Sequence, residues 1–202
     1  MKKFITLALA LCLALSASVF ASAAEVNADG GSGSTPVYLS STEDGTLEGD
    51  PSATAMSVTV PTALPMAMSQ TGDVTTADNC QIINNSYGAV RVKSVNITTA
   101  NGWRLTSFGD KSTLASEKVD SNKLGFALSI GGGTKVVTDT SDESSQYLIS
   151  APIAGCYMSG SGNISGNTVS VDYEAIVTPL SNAVTNANIA NVVFVIEWDT
   201  AA

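Results

Sequence analysis

Paired carboxylates are the side chains of this sequence best suited to catalysis, because hydrolysis of a sugar bond needs two of them facing each other across a cleft. Glu174 and Glu197 lie on predicted strands, and Asp172 shares a strand face with Glu174. Outward polar positions of half-exposed strands give the same pattern without any chemistry. Glu197 is the more unusual of the three, since its neighbours on that face are apolar. The pattern favours outward polar positions, and we predict that the protein is not an enzyme.

Histidine is absent from the 202 residues, which removes the commonest catalytic machinery. Without it there is no Ser-His-Asp or Cys-His nucleophile and no imidazole ligand for zinc or haem. The charge is also restrictive, because 18 acidic and 9 basic residues give a net charge of −9. Phosphate binding needs a basic patch, so nucleic acid is not an expected partner. The sequence therefore predicts no catalytic residue, no cofactor and no metal site.

Two of the three cysteines, Cys80 and Cys156, lie in the part of the chain that is predicted to fold. In an oxidising compartment an even pair suggests one disulfide, worth about 3–4 kcal/mol if it is unstrained. Two separately buried thiols, which behave as small hydrophobic groups, are the alternative. The disulfide is the prediction, and the alternative stays open. Cys12 lies within a predicted export signal and is discarded with it.

Aromatic rings are candidates for sugar binding, because they stack on the flat faces of pyranose rings. The candidates are Tyr38, Tyr87, Tyr147 and Tyr157. Trp103 and Trp198 are expected in the core instead. Aromatic residues make up 6% of the chain, which is low for a carbohydrate-binding module. Packing in the core or in turns is therefore the expected role of each tyrosine.

The first 24 residues have the layout of an export signal. Lys2 and Lys3 form a positive start, an apolar run covers residues 4–20, and small residues at 21–23 supply a cleavage site. A membrane anchor is the alternative, but a run of about 17 residues is short for a span of about 20. We expect a secreted, extracellular chain with no transmembrane segment after cleavage. Because there is no LPxTG-like sorting motif, it is expected to be released or held at the surface non-covalently.

Residues 25–55 form an acidic arm that is rich in glycine, serine and threonine, with six acidic residues and no basic one. Such a segment buries too little apolar surface to offset its ordering entropy, so the sequence predicts a flexible arm. Within it, Val37, Tyr38 and Leu39 make an isolated strand-like stretch. An isolated strand can add to the open sheet edge of a neighbouring molecule. This stretch is therefore a candidate donor strand.

From residue 56 onward, apolar residues recur with the period of two that is typical of β-strands. The clearest runs are 169–177 and 191–198, with shorter ones at 56–60, 64–68, 81–84, 90–97 and 126–130. A change of parity along the run 90–97 predicts a β-bulge near Ser94. The glycines at 131–133 predict a hairpin turn. The run 191–198 is apolar on both faces, so we predict that this strand lies in the middle of a sheet.

The fold class predicted from these runs is all-β. No stretch after the export signal has the pattern of an amphipathic helix. Short strands separated by glycine and asparagine turns indicate a single β-sandwich, immunoglobulin-like or jelly-roll-like, of about 8–10 strands over residues 56–202. It follows the export signal, residues 1–24, and the acidic arm, residues 25–55. A barrel is the lesser alternative.

Two short motifs resemble those of a known group of surface proteins. Trp103-Arg104-Leu105 is a W-x-L tripeptide ahead of more strand, and the strand 193–198 ends on Trp198. These motifs resemble the WxL-type surface domains of Gram-positive bacteria. The layout of export signal and all-β chain is also similar to that of camelysin-type and TasA-type proteins. The resemblance implies a secreted surface β-protein of Gram-positive, Firmicutes-type bacteria, associated with peptidoglycan, in which Trp103, Leu105 and Trp198 are anchor residues.

Together these observations predict a secreted, non-enzymatic structural or binding protein of the cell surface, associated non-covalently with the cell wall. The expected partners are a cell-wall polymer or further copies of the chain itself. The alternative is a fibre subunit of the pilus or biofilm kind, assembled by donor-strand addition of the acidic arm. A secreted glycan-active enzyme is the third hypothesis.

Overall fold

Alternating apolar and polar residues form strands along the chain, as the period of two predicts. The structure, a computed structural model, describes residues 55–200. The predicted export signal, almost all of the acidic arm and the candidate donor strand of Val37, Tyr38 and Leu39 lie outside the described residues. Within them the fold is nearly all β, and the predicted fold class is confirmed.

Twelve strands and one helical turn make up the described part of the chain. In chain order the strands are β1 (Val58–Thr59), β2 (Met66–Met68), β3 (Val74–Thr76), β4 (Gln81–Asn84), β5 (Val90–Thr99), β6 (Arg104–Thr106), β7 (Lys123–Ile130), β8 (Val136–Val137), β9 (Ser145–Ile149), β10 (Tyr157–Met158), β11 (Thr168–Val177) and β12 (Ala190–Trp198). The helical turn, α1, is Ser112–Ala115. The count exceeds the predicted 8–10 because several strands are pieces of two or three residues.

The first sheet has the strand order β1-β4-β11-β7-β6, and β8 also pairs with β7. β6 and β7 run parallel, and the other pairs are antiparallel. The predicted hairpin turn at residues 131–133 joins β7 to β8. Gly131 and Gly132 take φ angles of 56° and 69° there, a region that glycine occupies without steric cost. This prediction is therefore confirmed.

The second sheet is built around β5. β12 pairs along one side of β5, while β9 and β10 share its other side. The register of β5 and β12 shifts between Val195, which pairs with Ser94, and Ile196, which pairs with Val92. Lys93 is thus an extra residue on β5, and the predicted β-bulge near Ser94 is confirmed. The bulge keeps the apolar residues before and after it on the side that faces the core.

The two sheets enclose one apolar core, as expected for a sandwich-like fold. Its largest fully buried side chains come from both sheets and include Ile82, Val92, Val95, Ile97, Leu124, Leu128, Ile130 and Val171. The hairpin of β2 and β3 is attached to this core through Tyr173. The Tyr173 hydroxyl donates a hydrogen bond to the Pro65 carbonyl oxygen and accepts one from the Ala77 N–H at 3.2 Å. The ring is buried and its polar end is satisfied.

β12 lies at an edge of the second sheet, so the prediction that it is a central strand is wrong. Within residues 55–200 it pairs with β5 alone. Its second apolar face points to solvent, where Val193 is 52% exposed and Val195 is 42% exposed. Periodicity reports which residues are apolar, but it does not report whether a neighbouring strand covers them. The result is a long edge strand with apolar residues on both faces.

Candidate interaction site

The free edge of β12 presents backbone groups that are not paired. The Ala100 N–H donates to the Ile189 carbonyl oxygen at 2.9 Å, and the Asp199 N–H donates to the Ala89 carbonyl oxygen at 3.0 Å. These two contacts show that Ile189 and Asp199 direct their backbone groups toward β5. Because successive residues of a strand direct these groups to opposite sides, the even-numbered residues between them direct theirs away from β5. The outward N–H and C=O groups belong to Ala190, Val192, Phe194, Ile196 and Trp198. No hydrogen-bond partner for them occurs among residues 55–200.

An edge of this kind favours the addition of another strand. Natural sheets usually protect their edges with charged residues, prolines, bulges or short strands. β12 has nine residues, and its one charged residue, Glu197, lies near its end. Val193 and Val195 occupy the same face in its middle. Unpaired backbone groups therefore extend along about 30 Å of strand, with two exposed apolar side chains beside them in its middle.

A cluster of charges lies at the Glu197 end of this face. Arg91 Nε is 2.8 Å from Glu197 Oε1, and Lys93 Nζ is 3.1 Å from Glu197 Oε2. Arg91 Nη1 is 3.3 Å from Asp199 Oδ1. The hydrogen bonds from Arg91 and then Lys93 hold the pKa of Glu197 below its usual value. The general acid of a glycosidase needs a raised pKa, so Glu197 is unsuited to that role.

Glu197→Gln is expected to lower stability at neutral pH and to have less effect in acid. The pKa of Glu197 is lower in the folded chain than in the unfolded chain, where it is about 4.3. The carboxylate therefore stabilises the fold above that unfolded value, and the contribution is lost as the pH falls through the folded one. Urea titrations should show that the unfolding free energies of wild type and variant differ at pH 7 and converge below about pH 4.

Glu143→Gln is the matched control, since Glu143 is an exposed carboxylate whose partner Arg104 lies 3.7 Å away. Exposed pairs of this kind contribute little, so this variant is expected to follow the wild type at both pH values. A Glu197→Gln difference that stays constant from neutral to acid pH would contradict the prediction.

Two of the four candidate tyrosines lie on the same outer face, on the margin opposite β12. Tyr157 pairs with Arg91 and Tyr147 pairs with Asn96, so both share a face with Val193. They are 46% and 69% exposed. Their partners on β5 are five residues apart, and because one of these five is the extra residue of the bulge, the separation along the strand is about 13 Å. Tyr87 lies in the turn between β4 and β5, and Tyr38 lies outside the described residues.

A polar network lies beside Tyr147 on this face. Asn96 Nδ2 donates to Ser145 Oγ at 3.3 Å, and Thr98 Oγ1 donates to Asn96 Oδ1 at 3.0 Å. These short side chains stand on adjacent strands, and Thr98 is exposed. The face therefore offers aromatic rings and hydrogen-bonding groups within one surface.

A groove follows the first half of β12. Residues 61–64 line one side of it, and residues 190–192 and Phe194 line the other, around a volume of about 170 Å³. Leu64 packs against the core below it. No hydrogen bond joins residues 61–64 to β12 in the described part of the chain. This segment therefore flanks the edge without pairing with it.

The candidate carboxylates lie on opposite outer faces of the sandwich. Glu174 and Asp172 are on β11 in the first sheet, whereas Glu197 is on β12 in the second. All three point away from the core, so Glu174 and Glu197 do not face each other across one cleft as a glycosidase pair must. Glu174 forms an ion pair with Lys135, and Asp172 accepts a hydrogen bond from Ser170 Oγ at 2.9 Å.

The three anchor residues of the WxL resemblance do not form one site. Leu105 is buried on β6, while Trp103 and Trp198 pack half-buried against the core. Trp198 pairs with Val90 at the start of β5, whereas Trp103 follows the turn after Thr99 at its end. About 30 Å of strand lies between the two ends. Each anchor residue has a packing role in its own part of the core.

Cys80 and Cys156 are two free thiols in the structure, instead of the predicted disulfide. The Cys80 carbonyl oxygen accepts the Val171 N–H at 2.8 Å in the first sheet, and the Cys156 carbonyl oxygen accepts the Val92 N–H at 2.9 Å in the second. Facing sheets lie about 10 Å apart, and a disulfide needs Cα atoms within about 7 Å. Burial also raises the pKa of the Cys156 thiol, which makes it less reactive.

The remaining observations concern metals, membranes and known proteins. Residues 55–200 hold no group of three or more Cys, Asp or Glu side chains that could bind a metal ion. Over the same range, no helix is long and apolar enough to cross a membrane. Comparison of the chain with protein-family models, curated proteins and solved structures gives no match.

Proposed function

We propose that this chain is a secreted, non-enzymatic structural or binding protein of the cell surface, associated non-covalently with the cell wall. The observation that carries the proposal is the outer face of the second sheet, with Tyr147 and Tyr157 on one margin. A broad sheet face suits contact with a polymer. Two cavities among the described residues, of about 60 and 170 Å³, are smaller than the ~300–1,000 Å³ of most small-molecule pockets. The missing histidine and the predicted export signal support the same function.

Contact with a wall polysaccharide would use both kinds of group on this face. The two tyrosine rings stack on sugar rings, and the network of Asn96, Thr98 and Ser145 hydrogen-bonds to hydroxyl and amide groups. The charge cluster beside Tyr157 is balanced, because Arg91 and Lys93 offset two carboxylates. The face therefore repels an anionic wall less than the net charge of −9 would suggest.

The double variant Tyr147→Ala, Tyr157→Ala is expected to lower retention on purified Gram-positive cell walls by about tenfold, because two ring contacts together amount to about 1.4 kcal/mol or more. Co-sedimentation of the protein with walls measures the retention. Tyr87→Ala is the control, since Tyr87 is 87% exposed but lies in a turn. The wall-binding proposal fails if the wild type is retained no better than an unrelated acidic protein.

A second candidate function is a fibre subunit assembled by strand addition. The unpaired backbone edge of β12 is the observation that favours it. In this version Val37, Tyr38 and Leu39 of one copy add to the β12 edge of the next copy. Electron microscopy of the purified protein tests it. Filaments that disappear when residues 25–45 are deleted would support it, and the same filaments in the deletion variant would count against it.

A further inference from the structure

The free edge of β12 is the feature of the molecule that most requires a partner. Five residues direct unpaired N–H and C=O groups outward, and Val193 and Val195 are exposed beside them. Addition of another strand satisfies such an edge. We infer that β12 of a second copy of this chain pairs with this edge in antiparallel orientation about a two-fold axis. The second sheets of the two copies then join into one continuous sheet. This pairing does not depend on wall binding, and it gives the edge a different occupant from the fibre version.

The residues of β12 define the register of this pairing. Overlap of all nine residues, Ala190–Trp198, places Phe194 on the two-fold axis, where its outward backbone groups bond to their counterparts. Val193 of each copy then lies opposite Val195 of the other copy. Side chains approach more closely at such pairs, so the four exposed valines form one apolar cluster that excludes water. The valines bury only the sides that they turn to each other, and the outer face of the joined sheet still points to solvent.

Charge and length favour a second copy over the acidic arm. In the register centred on Phe194, Glu197 lies opposite Asn191, so no two like charges meet. The donor stretch of the arm, residues 35–39, is shorter than the nine-residue edge. The arm around it carries six acidic residues and no basic one, so it offers no positive charge to the carboxylates at this edge.

Residues 61–64 flank the first half of β12 around a groove of about 170 Å³. No hydrogen bond in the described part of the chain holds this segment against β12, so an incoming strand can displace it from the edge. The tyrosines occupy the other margin of the same sheet, so the joined sheets would display two sets of them on one outer face. Such a dimer would hold a polymer at two points.

Two double variants of the full chain test the pairing and its register. Val193→Lys with Val195→Lys places lysine opposite lysine at both cross-strand pairs and is expected to lower the dimer association constant at least about tenfold. Val193→Lys with Val195→Glu places the introduced lysine opposite the introduced glutamate of the second copy, so the dimer is expected to recover. Analytical ultracentrifugation at about 100 μM, where a micromolar dimer is nearly complete, measures both.

Hydrogen exchange and one deletion complete the test. In the dimer, the outward amides of Val192, Phe194 and Ile196 should exchange slowly. In the double-lysine variant the same amides should exchange quickly. The amides bonded to β5 should stay protected in both proteins. That contrast also shows that the variant is folded. A monomeric wild type, an unrestored lysine–glutamate variant, or a dimer that is lost on deleting residues 25–45 would each overturn the inference. Dimer formation is also measured on the Tyr147→Ala, Tyr157→Ala variant, whose β12 is unchanged, so the two proposals can fail independently.

Discussion

Leu105→Ala is expected to lower the free energy of unfolding by about 2–5 kcal/mol. Leu105 is 1% exposed and lies on β6 opposite Leu124 of β7, in the one parallel pairing among the strands of residues 55–200. Truncation removes its apolar contacts and leaves a cavity. The strand cannot move in to fill that cavity, because the Leu105 N–H is bonded to the Glu143 carbonyl oxygen at 2.6 Å. Denaturant titration followed by tryptophan fluorescence measures the loss.

Arg104→Ala is the matched control on the same strand. Arg104 is exposed, and its ion pair with Glu143 spans 3.7 Å, so the expected change is below about 1 kcal/mol. Equal losses for the two variants would contradict the packing of β6 against the core. The comparison also separates two roles for Leu105. If Leu105 were a binding anchor, Leu105→Ala would lower wall retention and leave stability unchanged. If Leu105 is a core residue, the same substitution lowers stability.

Asn84→Ala is expected to cost about 2–5 kcal/mol, because it leaves one buried N–H and two half-buried carbonyl groups without their partner. Asn84 is fully buried at the end of β4. Its Nδ2 donates to the carbonyl oxygens of Gly88 at 2.9 Å and Ser159 at 2.8 Å, and its Oδ1 accepts the Ser86 N–H at 2.9 Å. One side chain thus joins the turn after β4 to the loop after β10. Thermal and urea unfolding measure the effect.

Asn85→Ala is the control, since the next residue is exposed and makes one side-chain hydrogen bond, to Thr59 Oγ1 at 3.0 Å. Its expected cost is within about 1 kcal/mol. If Asn84→Ala is no worse than Asn85→Ala, the two carbonyls and the N–H are satisfied by water in the variant. In that case the amide does not hold the turn and the loop together.

The strands that pack one face on the core were predictable from local pattern. β4 has the predicted bounds 81–84, and β11 and β12 differ from the predicted runs by one residue at their first positions. The bulge at Lys93 was also visible, because an extra residue reverses the parity of the buried side chains. By contrast, β9 has Leu148 and Ile149 buried in succession, so its alternation is broken and the period of two does not reveal it.

The site was less predictable, because it depends on which strands become neighbours. The sequence shows that Val193 and Val195 are apolar, but it does not show that the second sheet ends at β12. Tyr147 and Tyr157 share a face because β9 and β10 both pair with β5, and no local signal reports this. A run that is apolar on both faces fits a central strand and an unprotected edge strand equally well, so no local signal distinguishes the two.

The long separation between β5 and β12 has a consequence for how the chain folds. Their nine-pair ladder is the longest among the strands of residues 55–200, yet about 90 residues of chain lie between the two strands. Pairings this distant in sequence require a large loss of chain entropy before any contact forms, and domains dominated by them fold in milliseconds to seconds. The second sheet cannot close until residues 190–198 are available. A chain of this topology therefore keeps the β12 side of β5 uncovered until its last strand has been made.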